Sequence, residues 1–595
     1  MFGSAKPIEG VRRNMDIKIN KRFEYRDLPN MKELLRDVEK IASGIIIKET
    51  SFFKEHGVKS ELEYKKKAIQ QRIITKHSHI GWNSWDETAK NLEYIYKELE
   101  SRGSYISRFG FILDWVMGVP EDSRHKMQKG TGLVLATPEE WAAVGQVVPV
   151  QPHMSDHMIG APNALSNTIQ ALNAGVTSIG NVSHYFTYEY PGVDMERERT
   201  ISSVQALHLM GKLDGTIVHS NLDDGFGNQF HDLTSITGWA IMERYVVEEL
   251  LGAQMTFSYG NLFSDPMGRI IIHTAMESLN SRKTPGTMVF GNTVDYGLDY
   301  HRNFGALSSY SLADAVFQRH MPTGHAVASV PVSEASRVPT ADEIVDAHLC
   351  VDMMIEKSQF FEPYINWDKV EGEKDIYISC GNVFFERMMN GLDDLGVDID
   401  HAGEILAALK AIGPQQLEEH FGVGSKERIS AEKRRPVRPT DMIKNLEKRR
   451  EDSIGRLNNI EGDLKDVKVI LAATDIHDYG KGIAKAILAR AGAVVFDLGT
   501  YVTTMEIVET LMETEAQAVV ISTYNGIALT YAKDLMDRMK KSKQNPQILM
   551  GGLLNENQDG SSLAVDVTSK IEEMGINAEN NMDNLVKIMK KTVQV

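Results

Sequence analysis

From about residue 105 the chain repeats one unit: a short run suited to a strand, a loop rich in Gly, Asn, Asp and Pro, an amphipathic helix that stops at Gly, and another strand. Such alternation dictates βα units and a parallel sheet, because consecutive parallel strands need a long crossover that a helix supplies. The pattern predicts strands at 111–116, 132–136, 147–150, 176–183, 215–219, 254–259, 287–292 and 326–331. Eight such units close a (β/α)8 barrel of the TIM type, assigned here to residues 105–421. The helix-to-strand joints carry Gly175, Gly252 and Gly324, where left-handed backbone ends a helix cheaply. In a barrel the loops after the strands gather at one face, where barrel enzymes carry their chemistry. Those loops hold His184, Tyr185, His219, Asp223, Asp224, Tyr259, Asn292, Asp295 and Glu334.

Upstream, residues 1–104 read as a charged helical lead-in, with helical patterns at 31–42 and 88–100. Downstream, residues 422–465 combine the run Glu432-Lys433-Arg434-Arg435-Pro436-Val437-Arg438-Pro439 with Glu447-Lys448-Arg449-Arg450, the composition of a solvated interdomain linker. At residue 466 a second α/β rhythm begins and runs to 595, with strands predicted at 467–473, 493–498, 518–522 and 547–550, which makes a doubly wound, flavodoxin-like domain. With 595 residues, 42% of them hydrophobic, the chain has enough apolar material for more than one core. A formal net charge of -17 argues against a nucleic-acid partner, whose phosphates demand a basic footprint. There is no apolar run long enough to span a membrane and no apolar leader, so a cytoplasmic protein is expected. Cys350 and Cys380 are too few for a disulfide framework or a thiolate metal site.

The chemistry concentrates in the last domain. Asp475-Ile476-His477-Asp478-Tyr479-Gly480 follows its first predicted strand, at the carboxyl edge where open α/β sheets bind ligands. An imidazole there can ligate a metal through one nitrogen, and a carboxylate two residues away can orient the other nitrogen. Ser522-Thr523-Tyr524 and Gly526 follow the third strand; Gly551-Gly552 end the fourth, where absent side chains let a flat ligand approach the backbone. A regulator-like domain with a loop histidine is the plainer alternative for the histidine alone.

These three pieces, in order, resemble the D-x-H-x-x-G signature of the B12-binding domains of mutases and methionine synthase. The resemblance implies that His477 is the cobalt ligand, that Asp475 orients it, and that Asp478, Tyr479, Gly480, Ser522, Tyr524, Gly526, Gly551 and Gly552 surround the cofactor. Tyr524 stands where that family usually has Leu. Over roughly residues 150–400 the chain also resembles the large subunit of glutamate mutase, and its single-chain arrangement looks like that of 2-methyleneglutarate mutase. The resemblance implies adenosylcobalamin as cofactor, a radical carbon-skeleton rearrangement of a small carboxylic acid, and a homo-oligomer, dimer or tetramer. By the same carry-over, Glu334 matches a carboxylate at the adenosyl ribose and Tyr259 a tyrosine at the substrate, with His219 beside it. Val330 replaces the family's adenosyl-contacting lysine, and the arginines that grip two carboxylates are replaced in stretches containing His157 and His219.

Arg108, Arg197, Arg302 and Arg337 are candidate replacements for that grip, and His153 and His157 are spaced as a weak metal pair. A corrinoid methyltransferase remains the alternative, disfavoured because 442–466 has room for about one helix rather than a helical cap. A B12 carrier or sensor is the third reading.

Overall fold

A computed structural model describes residues 27–260, 265–291, 295–430, 433–440, 460–475, 479–558, 563–579 and 584–593, with residues 17, 293, 448, 451, 455 and 561. Seven parallel strands form the first sheet: β1 Thr75–Ile80, β2 Arg108–Phe111, β3 Gln151–Met154, β4 Ser178–Gly180, β5 Ile217–Asn221, β6 Met255–Ser258 and β7 Ala326–Ala328. Their spatial order is β6-β5-β4-β3-β2-β1-β7, so β1 to β6 lie side by side in chain order and the last strand returns beside the first. This is a parallel half-barrel sheet, and an isolated parallel bridge from Ser258 to Met288 marks one more strand position beyond β6.

The strand assignments need correcting at the front of the sheet. β1 lies inside the stretch expected to be helical, while 132–136 contributes only an isolated bridge between Leu113 and Leu133, and 147–150 is a turn leading into β3. The reason is polarity. β1 reads Thr75-Lys76-His77-Ser78-His79-Ile80, without an apolar run, yet Lys76, His77 and Ser78 are almost completely buried. The Lys76 ammonium reaches Asp352 and the Ser104 hydroxyl and lies over the Tyr105 ring. Burial of a charge on these terms leaves no trace in hydropathy.

Helices cover the outside of this sheet, among them Trp85–Ser101, Ala164–Asn173, Glu196–Gly211, Pro266–Ser278 and Tyr300–His320. The expected joints hold: Gly175, Gly252 and Gly324 all have φ between 70° and 89°. A 28-residue helix, Trp367–Asp394, packs on Leu233–Arg244. The two backbones meet at glycine, for a Cβ on Gly238 would lie 2.6 Å from the Gly381 carbonyl oxygen. Next come an antiparallel hairpin of β8 Ser425–Ser430 and β9 Lys433–Arg435, within the stretch read as linker. Its exit is tied down, since Asp232 accepts from the Val437 and Arg438 backbone N–H groups at 2.6 and 3.1 Å.

The second sheet comprises β10 Lys468–Ala473, β11 Val494–Gly499, β12 Ala518–Thr523 and β13 Gln547–Gly552, followed by a short antiparallel pair, β14 Asn555–Glu556 with β15 Val565–Asp566, and then the edge strand β16 Asn577–Ala578. The order β11-β10-β12-β13-β16, parallel throughout, is the flavodoxin-like order expected, with apolar cores on both faces. Its topological switch point, where ligands bind in such sheets, lies between the ends of β10 and β12. No helix among the described residues is long and apolar enough to cross a membrane.

Candidate functional site

At the switch point Asp475, two residues past β10, is only 4% exposed. One carboxylate oxygen accepts the backbone N–H groups of Tyr524 and Asn525, at 2.7 and 3.1 Å, and the Thr474 hydroxyl at 3.1 Å. The loop after β12 is thus fastened to the loop after β10 by one buried acid, and charge-assisted bonds of this kind are the strong ones. Ser522 and Thr523 pair in register with Gly551 and Gly552 of β13, which with Asp475 brings residues of all three motif pieces to one sheet edge. Gly552 has φ +103°, and a Cβ there would sit 2.3 Å from the Thr523 carbonyl oxygen, so only glycine fits. Tyr479 and Gly480 open the helix Tyr479–Arg490. His477 and Asp478 lie outside the described residues, and with them the expected pairing of Asp475 with His477.

This edge faces the carboxyl ends of the half-barrel strands. A cavity of about 190 Å³ lies between them, lined by Leu113, Asp114, Asp156, Tyr188 and Glu189 on one side and by Asp475, Tyr501 and Asn525 on the other. A larger cleft of about 850 Å³ adjoins it, walled by 186–196 and by Lys481 with 498–506. The domains touch at the rim: Asn557 donates to the Gly130 carbonyl at 3.0 Å and accepts from Asn83 at 3.0 Å. Gly526, φ +75°, abuts Thr131, whose methyl would lie 2.1 Å from a Cβ at that position. Trp115 packs against the apolar core of the second sheet.

Of the barrel-side candidates, Glu334 sits in the loop after β7, where burial pushes its carboxyl up to about 7. Its charge acts on the phenol of Tyr524, which burial and the charges of Glu334 and Asp475 raise above the ordinary range. Glu334 and Tyr524, one from each domain, thus lie within electrostatic reach of each other. Tyr259, just past β6, is buried, 1% exposed. His219 points inside the half-barrel, hydrogen-bonded through Nδ1 to the Thr256 hydroxyl at 3.2 Å. Desolvation, with the nearby charges of Arg108 and Lys65, holds it well below the usual histidine range, so it is neutral.

His219 is one of a chain of buried imidazoles. Its ring centroid is 5.4 Å from that of His153 and 5.2 Å from that of His325, and His77 lies 6.2 Å from His153 and 4.7 Å from His79. In sequence the only signal of His77 and His79 is their i, i+2 spacing, which puts them on one strand face. Two of the candidate arginines are already paired with carboxylates. Arg108 is bound to Glu61 at 3.0 Å and Ser178 at 3.1 Å, Arg337 to Glu343 at 2.6 Å, and Arg197 and Arg302 lie on outer helices. His153 and His157 do not form a metal pair: His153 Nδ1–H donates to the Ser178 carbonyl, 2.9 Å away, and His157 Nδ1 faces the Tyr190 hydroxyl at 3.3 Å.

The strand ends assemble another group. Asp156 after β3, His184 after β4 and Asp224 after β5 bring one ligand atom each to within 4.8 Å of one another. His184 Nε2 is 3.1 Å from Asp224 Oδ2 and 3.8 Å from Asp156 Oδ1. Asn181 and Asn221 also donate to Asp224 Oδ2, at 2.8 and 2.9 Å. The His184 ring is stacked on Tyr188 with centroids 3.8 Å apart. Burial, reinforced by Asp224 and opposed by His184, pushes Asp156 up to about 7.

Residues 466–570 match the family model described as the B12 binding domain, so the chain has a C-terminal B12-binding domain and a B12-type cofactor is supported. Among solved structures, the chain matches a novel cobalamin-binding protein from Desulfitobacterium hafniense DCB-2, at 16% identity and a TM-score of 0.18, over 50% of this chain and 98% of that one. No curated protein matches the chain.

Proposed function

We propose that the chain is an adenosylcobalamin-dependent isomerase that rearranges the carbon skeleton of a small carboxylic acid. The observation that carries this reading is the opposition of two strand-end faces across one cleft, the B12-binding edge with Asp475 and Asn525 on one side and the half-barrel loops with Asp156 and Tyr188 on the other. A carrier needs only the first face. The bridge at Met288 supports closure of the first sheet into a complete eight-unit barrel, which begins at β1 rather than at residue 105.

In this reading residues 466–595 hold the cofactor, with His477 on the cobalt, and residues 475, 478–480, 522, 524, 526, 551 and 552 around it. The glycines fit such a group, because Gly552 keeps the backbone bare at the sheet edge, and so does the switch-point position of Asp475. Bound adenosylcobalamin supplies a radical initiator, the difficult chemistry of the reaction. The protein binds the substrate between the barrel loops and excludes water. Glu334 is suited to a ribose hydroxyl: raised to about 7, it is close to half-protonated near neutrality and can accept or donate. Tyr259 contacts the substrate, and His219, neutral, is a hydrogen-bonding wall rather than a proton source. The protein acts in the cytoplasm as a homo-oligomer.

Anaerobic EPR of the reconstituted protein turning over its substrate tests the reading. An organic radical signal coupled to cobalt is expected, with imidazole nitrogen hyperfine structure that disappears in His477→Gly. Turnover without any radical signal, accompanied by methyl transfer to the corrinoid from a donor, would establish the methyltransferase instead.

A further inference from the structure

The helix Ala341–Phe361 and the single turn Glu362–Tyr364 that continues it carry an apolar face that stands in solvent. Met353, Phe360, Phe361 and Tyr364 are 57%, 60%, 52% and 89% exposed. Residues seven apart lie one above the other two turns along a helix, so Met353 and Phe360 share a stripe, with Glu356 and Lys357 between them and Phe361 one position round. The helix has already buried its other side, through Ile344, Val351 and Ser358. A face left to water is ordinarily polar. Single exposed apolar side chains need no explanation, but a contiguous group on one helix marks a contact surface.

This face lies away from the cleft. Asp352, next to Met353, bonds to Lys76 near the start of β1 and to Ser104 just before β2, so this half of the helix sits at the end where the strands begin. A partner there leaves the half-barrel mouth and the B12-binding edge open. Phenylalanine and tyrosine bury about 150–250 Å² each when covered, so the three rings at these exposures, with Met353, offer on the order of 500 Å². A two-fold contact uses the same face twice, which gives roughly 1,000 Å² before any polar rim is added, the size a stable dimer needs. Phe, Tyr and Met are also the side chains enriched at interface centres.

Charge selects the occupant. The chain carries a net charge of -17, so two copies repel unless they meet where the surface is neutral. Between residues 353 and 364 the exposed charges are Glu356 and Lys357, one of each sign and 2.9 Å apart. In an antiparallel pair each step forward on one helix is a step back on the other. The register that sets Glu356 opposite the second copy's Lys357 therefore also sets Met353 opposite the second copy's Phe360, and both matches recur across the axis. A membrane surface would ask for a basic rim, which this stripe lacks. We propose that a second copy of this chain packs on this face, helix 341–361 antiparallel to its two-fold mate. The inference rests on the surface and not on the radical chemistry, and it gives the homo-oligomer of the proposed function a definite contact.

Sedimentation velocity of the full chain reconstituted with cobalamin, across a range of concentrations, tests the proposal. A dimer is expected, alone or within a tetramer. Phe360→Glu should raise its dissociation constant about thirtyfold or more, as for loss of a packed interface anchor, with the circular dichroism unchanged because the side chain is exposed. Lys357→Glu should weaken the dimer as well. Combining it with Glu356→Lys should restore the dimer, since the exchange rebuilds the same pairing across the axis. If Phe360→Glu does not fold, the charge exchange decides alone. A wild type that stays monomeric overturns the proposal. So does an oligomer indifferent to these substitutions, which would put the homo-oligomer on another face. Binding of a monomer to vesicles of anionic phospholipid, lost in Phe360→Glu, overturns it in favour of a membrane. Failure of the isomerase reading registers separately, as a missing radical signal, and leaves the sedimentation results standing.

Discussion

Single side chains at the sheet edge hold loops that are otherwise independent. Asp475 takes two backbone N–H groups from the loop after β12, so its removal orphans buried donors at about 1–3 kcal/mol. Asp475→Ala is accordingly expected to weaken cobalamin binding by about tenfold or more, measured by absorbance titration; unchanged affinity would show that the loop is ordered without it. Glu243 makes a different statement. Fully buried, it accepts from Ser183, Ser220 and Trp239, yet desolvation still raises its carboxyl from 4.5 to about 7. The folded protein therefore keeps a proton that the unfolded chain gives up near pH 4.5. The resulting stability is complete below that pH and is lost as pH rises through about 7. Thermal unfolding should show Glu243→Gln losing part of the wild-type decline between pH 5 and pH 8, and an identical decline would assign it to other groups. Glu334 and Asp156, raised to about 7 for the same reason, act in the same direction.

Among the elements, β1 and the glycine crossing show what pattern reading detects and what it misses. The joints at Gly175, Gly252 and Gly324 were legible because a helix end that turns left-handed needs glycine whatever surrounds it. β1 was not, because one face carries His77 and His79 and the other Lys76, whose buried charge is offset by Asp352 far along the chain. The crossing of Leu233–Arg244 with Trp367–Asp394 depends on Gly238 lying against Gly381, and neither glycine is distinctive in sequence. Gly238→Leu drives a side chain into the Gly381 carbonyl and the Phe384 ring, an overpacking that costs about 1–3 kcal/mol. A melting midpoint lowered by a few degrees is expected, and an unshifted one would mean that the two helices separate easily.

On the scale of the whole molecule, two parallel sheets with separate apolar cores meet across a cleft bridged, among the described residues, by polar contacts that include those of Asn557 with Asn83 and Gly130. The second sheet is covered on both faces by its own helices, so residues 460–595 are expected to fold alone and bind cobalamin. Circular dichroism and a cobalamin absorbance shift check this; an unfolded fragment would mean that Trp115 and the half-barrel complete its core. The sequence alone determined the class of each half: the αβ periodicity and the ordered motif pieces are local properties of the chain, carried by hydropathy spacing and by glycines with few substitutes. Only the tertiary structure decided where the first strand lies, that the histidines line the half-barrel, and that Asp156, His184 and Asp224 converge at its mouth. Those residues stand far apart in sequence, so no window along the chain carries the signal.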